Sequence, residues 1–157
     1  MRQQTWFAVV VCVIAVIPGF FVGGLVKAVM YVFGGWAENS DFLYLHALFG
    51  LDGPGALYNF IFAHAIPDTF QGGVGGFVAV WITEKAARGA NYALAATITG
   101  ALYTGFVACL ILVIFMHLGI TSEMLLSICQ CVGLWIGLGG TAAAFPVPAS
   151  RSNAAYP

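Results

Sequence analysis

Apolar positions in this chain run in long unbroken blocks, and ionisable residues punctuate them. No Asp, Glu, Lys or Arg occurs over 3–26, 89–122 or 124–150. A helix rises about 1.5 Å per residue, so roughly 20 apolar residues cross the hydrocarbon of a bilayer, and each block is longer than that. The blocks show neither the alternation of a half-buried strand nor the single apolar stripe of a soluble helix. The pattern predicts an all-α, polytopic membrane protein. Its single transmembrane domain over 1–157 has four transmembrane helices at about 6–33, 56–83, 92–118 and 124–145. An irregular tail, 146–157, follows, with Pro146, Pro148 and Pro157 around Arg151. The connection 34–55 carries Glu38, Asp41 and Asp52, and its apolar stretch 42–51, with Trp36 and Tyr44 close by, suits headgroup depth.

Two prolines complicate the helices. Pro18 interrupts the first span and Pro67 the second, where Asp68 follows it. Proline removes a backbone donor and disfavours helical geometry in the residue before it. The second helix is therefore expected to be kinked or broken, the kinked form being preferred because neighbouring helices can satisfy the freed carbonyl. Ile17-Pro18 and Ile66-Pro67 open two similar eight-residue blocks that share a Phe at the fifth place and a closing Gly-Gly. Kink chemistry accounts for the echo more readily than an inverted repeat, because nothing beyond the blocks aligns.

Composition sharpens this picture. Of 157 residues, 61% are hydrophobic and only 7% charged, against about 25% in a soluble domain, whose surface must be solvated. The first apolar run, which continues to residue 32, exceeds the roughly 7–15 residues of a signal-peptide core, so it is read as a retained helix. Arg2, Lys85, Arg88 and Arg151 fall on one side of the predicted bundle, and Glu38, Asp41, Asp52 and Glu123 on the other. The positive-inside rule then puts both termini in the cytoplasm, in a membrane such as the bacterial inner membrane. Five scattered Lys and Arg residues make no nucleic-acid surface. The chain has no phosphate loop ending in Gly-Lys-Ser/Thr, no His-Glu-x-x-His and no Gly-x-Ser-x-Gly, so a conventional enzyme is not expected.

Three features remain as candidates for function. The first is small-residue packing: Gly19 and Gly23, Gly72 and Gly76, and Gly133 and Gly137 each form a Gly-x-x-x-Gly pair. Residues four apart share a face, and the missing side chains let helices approach closely, inside the chain or against another subunit. The second is a polar row. His64, Asp68 and Gln71 share one helical face at i, i+4 and i+7, and such a row in an apolar span should not face lipid. Lys27 is the natural partner for Asp68. Counted from the outer ends of their predicted spans, Lys27 lies about 9 Å deep and Asp68 about 18 Å, a gap that closes only if the second span begins late or tilts. The third is histidine chemistry. His46, His64 and His117 map to the outer side and are weak candidates for metal or haem, lacking any short ligand spacing; no cofactor is predicted.

The reading that fits best is a small accessory or structural subunit, packed into a larger membrane assembly through its glycine-rich faces. Its partners would be the lipid bilayer and other membrane subunits or copies of itself. The alternative is a small oligomeric transporter or channel, with an intramembrane polar path on the second span.

Overall fold

A computed structural model describes residues 2–34, 64–118 and 122–145. Within them the chain is all-helical: α1 (Arg2–Gly34), α2 (Ile66–Ala86), α3 (Tyr92–Leu118) and α4 (Ser122–Ala144). Three stretches, Gln3–Met30, Tyr92–His117 and Met124–Ala144, are long and apolar enough to cross a membrane. They lie in α1, α3 and α4. α2 is the more polar element, with Asp68 and Gln71 in its first two turns and Glu84 and Lys85 in its last.

Among the described residues the second helix runs from Ile66; the expected start at 56 lies outside them, and with it the stretch that the kinked or broken helix was expected to hold before Pro67. Pro67 stands in the first turn of α2, where no backbone N–H is needed for an intrahelical bond and the fixed φ suits the helix. His64 and Ala65 form a π-type turn leading into it. Pro18 behaves differently: α1 runs through it without interruption for 33 residues. Pro18 thus lies in the middle of its helix, and Pro67 in the first turn of α2 among the described residues.

α2 is the central element, flanked by α1 on one side and α4 on the other. Gly19 faces Gly75 and Gly23 faces Gln71, so α1 and α2 run antiparallel. Gly72 faces Gln130 and Gly76 faces Leu134 and Gly137, so α2 and α4 run parallel. α3 closes the bundle against α1 and α4 and scarcely touches α2. Its first two turns are embedded through Tyr92, Ala95, Ala96 and Thr99, whereas beyond Gly100 only Val107 is buried. The core collects Ala8, Cys12 and Ala15 of α1, Ala79 and Val80 of α2, Ala95 of α3, and Leu134 and Leu138 of α4. Most of these side chains are small, and close helix approach fills the space that large side chains would otherwise occupy. Large apolar residues point outward instead, among them Trp6, Ile17, Phe21, Phe106 and Ile136.

The short turn between α2 and α3 is tied down by Tyr92. Its hydroxyl accepts the Gly89 amide at 2.8 Å and donates to the Ala87 carbonyl at 3.2 Å. Gly89 takes a φ of +80°, which a side chain would disfavour. Asn91 caps α3, its Oδ1 accepting the Leu94 amide at 3.0 Å. Tyr92 also packs edge-on against Phe145, joining the start of α3 to the end of α4.

Candidate functional site

The site is built around the first turn of α2. Asp68 follows Pro67 there, three residues into the helix, and its side chain is wholly buried, 0% exposed. The free N–H groups of a helix start favour a negative charge, and Asp68 is the acidic residue in that turn. This local preference does not offset the cost of burying a carboxylate, so a counter-charge is required. Lys27 of α1 supplies it: Nζ lies 2.7 Å from Asp68 Oδ1. The lysine side chain is 20% exposed, so its stem crosses the helix interface while part of it stays accessible.

A second donor reaches the same oxygen from the opposite side. Gln130 of α4 donates Nε2 to Asp68 Oδ1 at 2.6 Å and to Gln71 Oε1 at 3.3 Å. The cluster therefore joins three helices through four side chains, with the carboxylate at its centre. Asp68 Oδ2 is buried and has no hydrogen-bond partner among the described residues. Gln71 sits four residues before Gly75, at the level of Gly23, on the α2 face that meets α1.

The six glycines of the Gly-x-x-x-Gly pairs all lie at helix contacts within the chain. A Cβ at Gly19 would collide with the Gly75 carbonyl, one at Gly23 with the Gln71 carbonyl, and one at Gly72 with the Gln130 carbonyl. At Gly76 it would stand 2.6 Å from both the Leu134 oxygen and the Leu138 nitrogen. Gly133 and Gly137 return the contact against the carbonyls of Thr69 and Gly73. All these obstacles are backbone atoms, so no rotamer change relieves them. These glycine faces are spent inside the bundle, which leaves other surfaces to meet any partner.

His64 stands half-buried just before α2. His117 is exposed near the C-terminal end of α3, and His46 lies outside the described residues. The structure does not bring His117 to the Asp68 cluster, and no group of three metal-ligating side chains occurs among the described residues. Sequence reasoning missed Gln130. Its signal was available: it is the one amide side chain in the charge-free block 124–150, three residues before Gly133, and an amide in hydrocarbon needs a partner.

A second polar contact joins α3 and α4 farther round the bundle. Trp135 Nε1 donates to Thr104 Oγ1 at 2.9 Å, and Thr104 lies 3.3 Å from Cys131 Sγ. Thr104 also donates back to the Gly100 carbonyl at 2.8 Å, the usual way a hydroxyl is satisfied within an apolar helix.

Chemically the cluster is a fixed charge pair with two amide relays and no nucleophile. It can hold helices in register, and it can hold a proton or a water molecule at Oδ2. Comparison of the chain with protein-family models, with curated proteins and with solved structures finds no match in any of the three.

Proposed function

We propose that this chain is a small integral membrane protein that serves as an accessory or structural subunit of a larger membrane assembly. In this reading all four helices lie in the bilayer, with α2 kinked or broken at Pro67 and carried by its neighbours. The membrane is the bacterial inner membrane, and the positive-inside balance of Arg2, Lys85, Arg88 and Arg151 sets both termini in the cytoplasm.

One observation carries the choice. From Asp68 to Thr83, about 22 Å along α2, the buried residues are Gly72, Gly75, Gly76, Ala79 and Val80. None offers a side-chain donor or acceptor, and glycine contacts with the backbones of α1 and α4 close both sides of the helix. Along α2, among the described residues, an ion or proton reaching Asp68 meets no buried polar stepping stone before Thr83. The cluster thus works as a lock between helices, and the protein's role lies in what its outer surface contacts. α3 is the element suited to meet other subunits, since it is apolar all round and largely uncovered beyond Gly100.

The test is gentle extraction from the native membrane, followed by native mass analysis of the intact particle. Recovery in a fixed ratio with other membrane proteins is expected. Recovery alone, as a monomer or as a homo-oligomer, would overturn the subunit reading.

The unpartnered Asp68 Oδ2 favours a second reading, a small oligomeric transporter in which His64 and Asp68 relay protons. Proton flux into liposomes holding the purified chain decides it. Flux that survives changing both His64 and Asp68 sinks the relay.

A further inference from the structure

The outer half of α3 stands away from α2, and this leaves a groove between α1 and α3 with a volume of about 790 Å³. Its walls are apolar and rich in aromatic rings: Phe20 and Phe21 on α1, Tyr103 and Phe106 on α3. Gln71 of α2 lines it as well, and Gly24 leaves the α1 wall open there. Phe20 and Tyr103 stack with ring centroids 5.2 Å apart, which joins the two helices across the groove. The volume falls within the roughly 300–1,000 Å³ usual for small-molecule sites, which pair apolar walls with a few placed polar groups.

Those polar groups are what distinguish this groove from an ordinary lipid-facing furrow. Gln71 uses its Oε1 to accept from Gln130, and its own amide N–H groups have no partner among the described residues. The Tyr103 hydroxyl likewise has none among them. A donor in hydrocarbon is costly unless something accepts from it, and a tyrosine hydroxyl in an apolar setting normally finds an acceptor. Depth narrows the choice of acceptor. Gln71 packs at the level of Gly23, about 10 Å from the middle of the Gln3–Met30 stretch, and Phe20 with its stacked Tyr103 about 5 Å. With that stretch centred in the bilayer, both donors lie inside the hydrocarbon, whose edge is about 15 Å from the midplane. Phospholipid ester carbonyls sit at that edge, above both donors, and an acyl chain has no acceptor to offer below it.

We propose that the groove between α1 and α3 is a binding site for a quinone-type molecule, a flat carbonyl-bearing ring on an apolar tail, drawn from the bilayer. The ring packs among Phe20, Phe21 and Phe106, and one carbonyl accepts from the Gln71 amide while Tyr103 offers a second donor. The tail leaves along the exposed lips of the groove, where Phe21 is 75% exposed. This site depends on the chain lying in a membrane and is independent of whether the chain is a subunit.

The experiment is equilibrium binding of a radiolabelled decyl-benzoquinone to the full chain in phosphatidylcholine nanodiscs, with empty nanodiscs subtracting simple partition. Saturable binding of one molecule per chain is expected. Gly24→Leu fills the groove from α1, where a Cβ meets only the Gln71 amide at 3.6 Å, so the fold tolerates it. It should weaken binding at least about tenfold, the mark of about 1.4 kcal/mol of lost affinity. Gln71→Leu should weaken it by a smaller factor, and Gly105→Leu, at a position with nothing within 4 Å and outside the groove, should leave it unchanged. Binding no greater than in empty discs, or binding indifferent to Gly24→Leu, overturns the proposal. So does binding seen in ether-linked lipid but abolished in ester-linked lipid, which would assign the groove to phospholipid. Loss of binding when a partner protein from the native particle is present would assign it to a partner helix, and would overturn the proposal as well.

Discussion

Gln130 donates its side-chain amide to Asp68 at 2.6 Å from a helix 62 positions further along the chain. The oxygen it reaches is the one already held by Lys27. Two donors from two helices therefore converge on one carboxylate oxygen, and α2 cannot move against α1 or α4 without stretching one of those bonds.

Removing the carboxylate alone should be costly. Asp68→Ala removes the carboxylate that Lys27 Nζ meets at 2.7 Å between packed helices, and breaking a buried pair from one side typically costs about 3–5 kcal/mol. Reversible unfolding in mixed detergent micelles measures it. The double change Lys27→Met with Asp68→Ala should recover a large part of that loss, because no uncompensated charge remains. A double variant no more stable than Asp68→Ala would refute a structural role for the pair.

Gln130→Leu tests the α4 side of the cluster. Asp68 Oδ1 keeps Lys27 but loses a donor, and a hydrogen bond to a charged group is worth about 1.5–3 kcal/mol. Destabilisation in that range is expected in the same unfolding assay. Gln130→Leu combined with Asp68→Ala should cost less than the sum of the two, since they remove one shared contact.

Alanine at Gly76 should separate α2 from α4. The added methyl would lie 2.6 Å from backbone atoms of Leu134 and Leu138, and overpacking of this kind costs about 1–3 kcal/mol. Gly139→Ala makes the matched comparison, because nothing lies within 4 Å of a Cβ there. It should be neutral or stabilising by up to about 1 kcal/mol, through the lower helix propensity of glycine. Melting temperatures of the two variants should move in opposite directions, or only the first should fall.

Gly100→Ala should be readable by spectroscopy. A Cβ there would meet the Trp135 ring at 2.8 Å, so the indole must swing away, and its 2.9 Å bond to Thr104 is lost with it. Tryptophan emission should shift, and the same substitution in a Trp135→Phe background should produce no shift. An unchanged spectrum in the first case would mean the indole does not occupy the α3–α4 contact.

Hydropathy located α1, α3 and α4 to within a few residues, because turn-forming or ionisable residues flank the ends of each. For α2 the expected start at 56 lies outside the described residues, and the expected end at 83 fell short, since the helix continues through Glu84 and Lys85 to Ala86. Hydropathy scores charged residues against a span, yet at a helix end they can reach solvent while the backbone stays helical. The depth mismatch expected between Lys27 and Asp68 does not separate them: the two side chains meet at 2.7 Å. Lys27, Asp68 and Gln71 were legible as polar residues in apolar surroundings. Gln130 was equally legible, because Glu123, Ser127 and Gln130 repeat on the last helix the i, i+4, i+7 spacing of His64, Asp68 and Gln71. The glycine pairs showed that helices approach closely, but only the fold shows that α2 presents two such faces, Gly72 and Gly76 to α4 and Gly75 to α1.

The parallel pairing of α2 with α4 also sets a timetable for assembly. The chain is made from its N-terminus, so α2 leaves the ribosome well before Gln130, Gly133 and Gly137 exist. Until then its carboxylate has only the lysine of α1, and its Gly72–Gly76 face has nothing to meet. Of the four described helices it is also the one not long and apolar enough by itself to cross a bilayer. The newborn α2 must therefore wait, held by α1 alone, for α4 to arrive, and commitment of the bundle is deferred until α4 has been made.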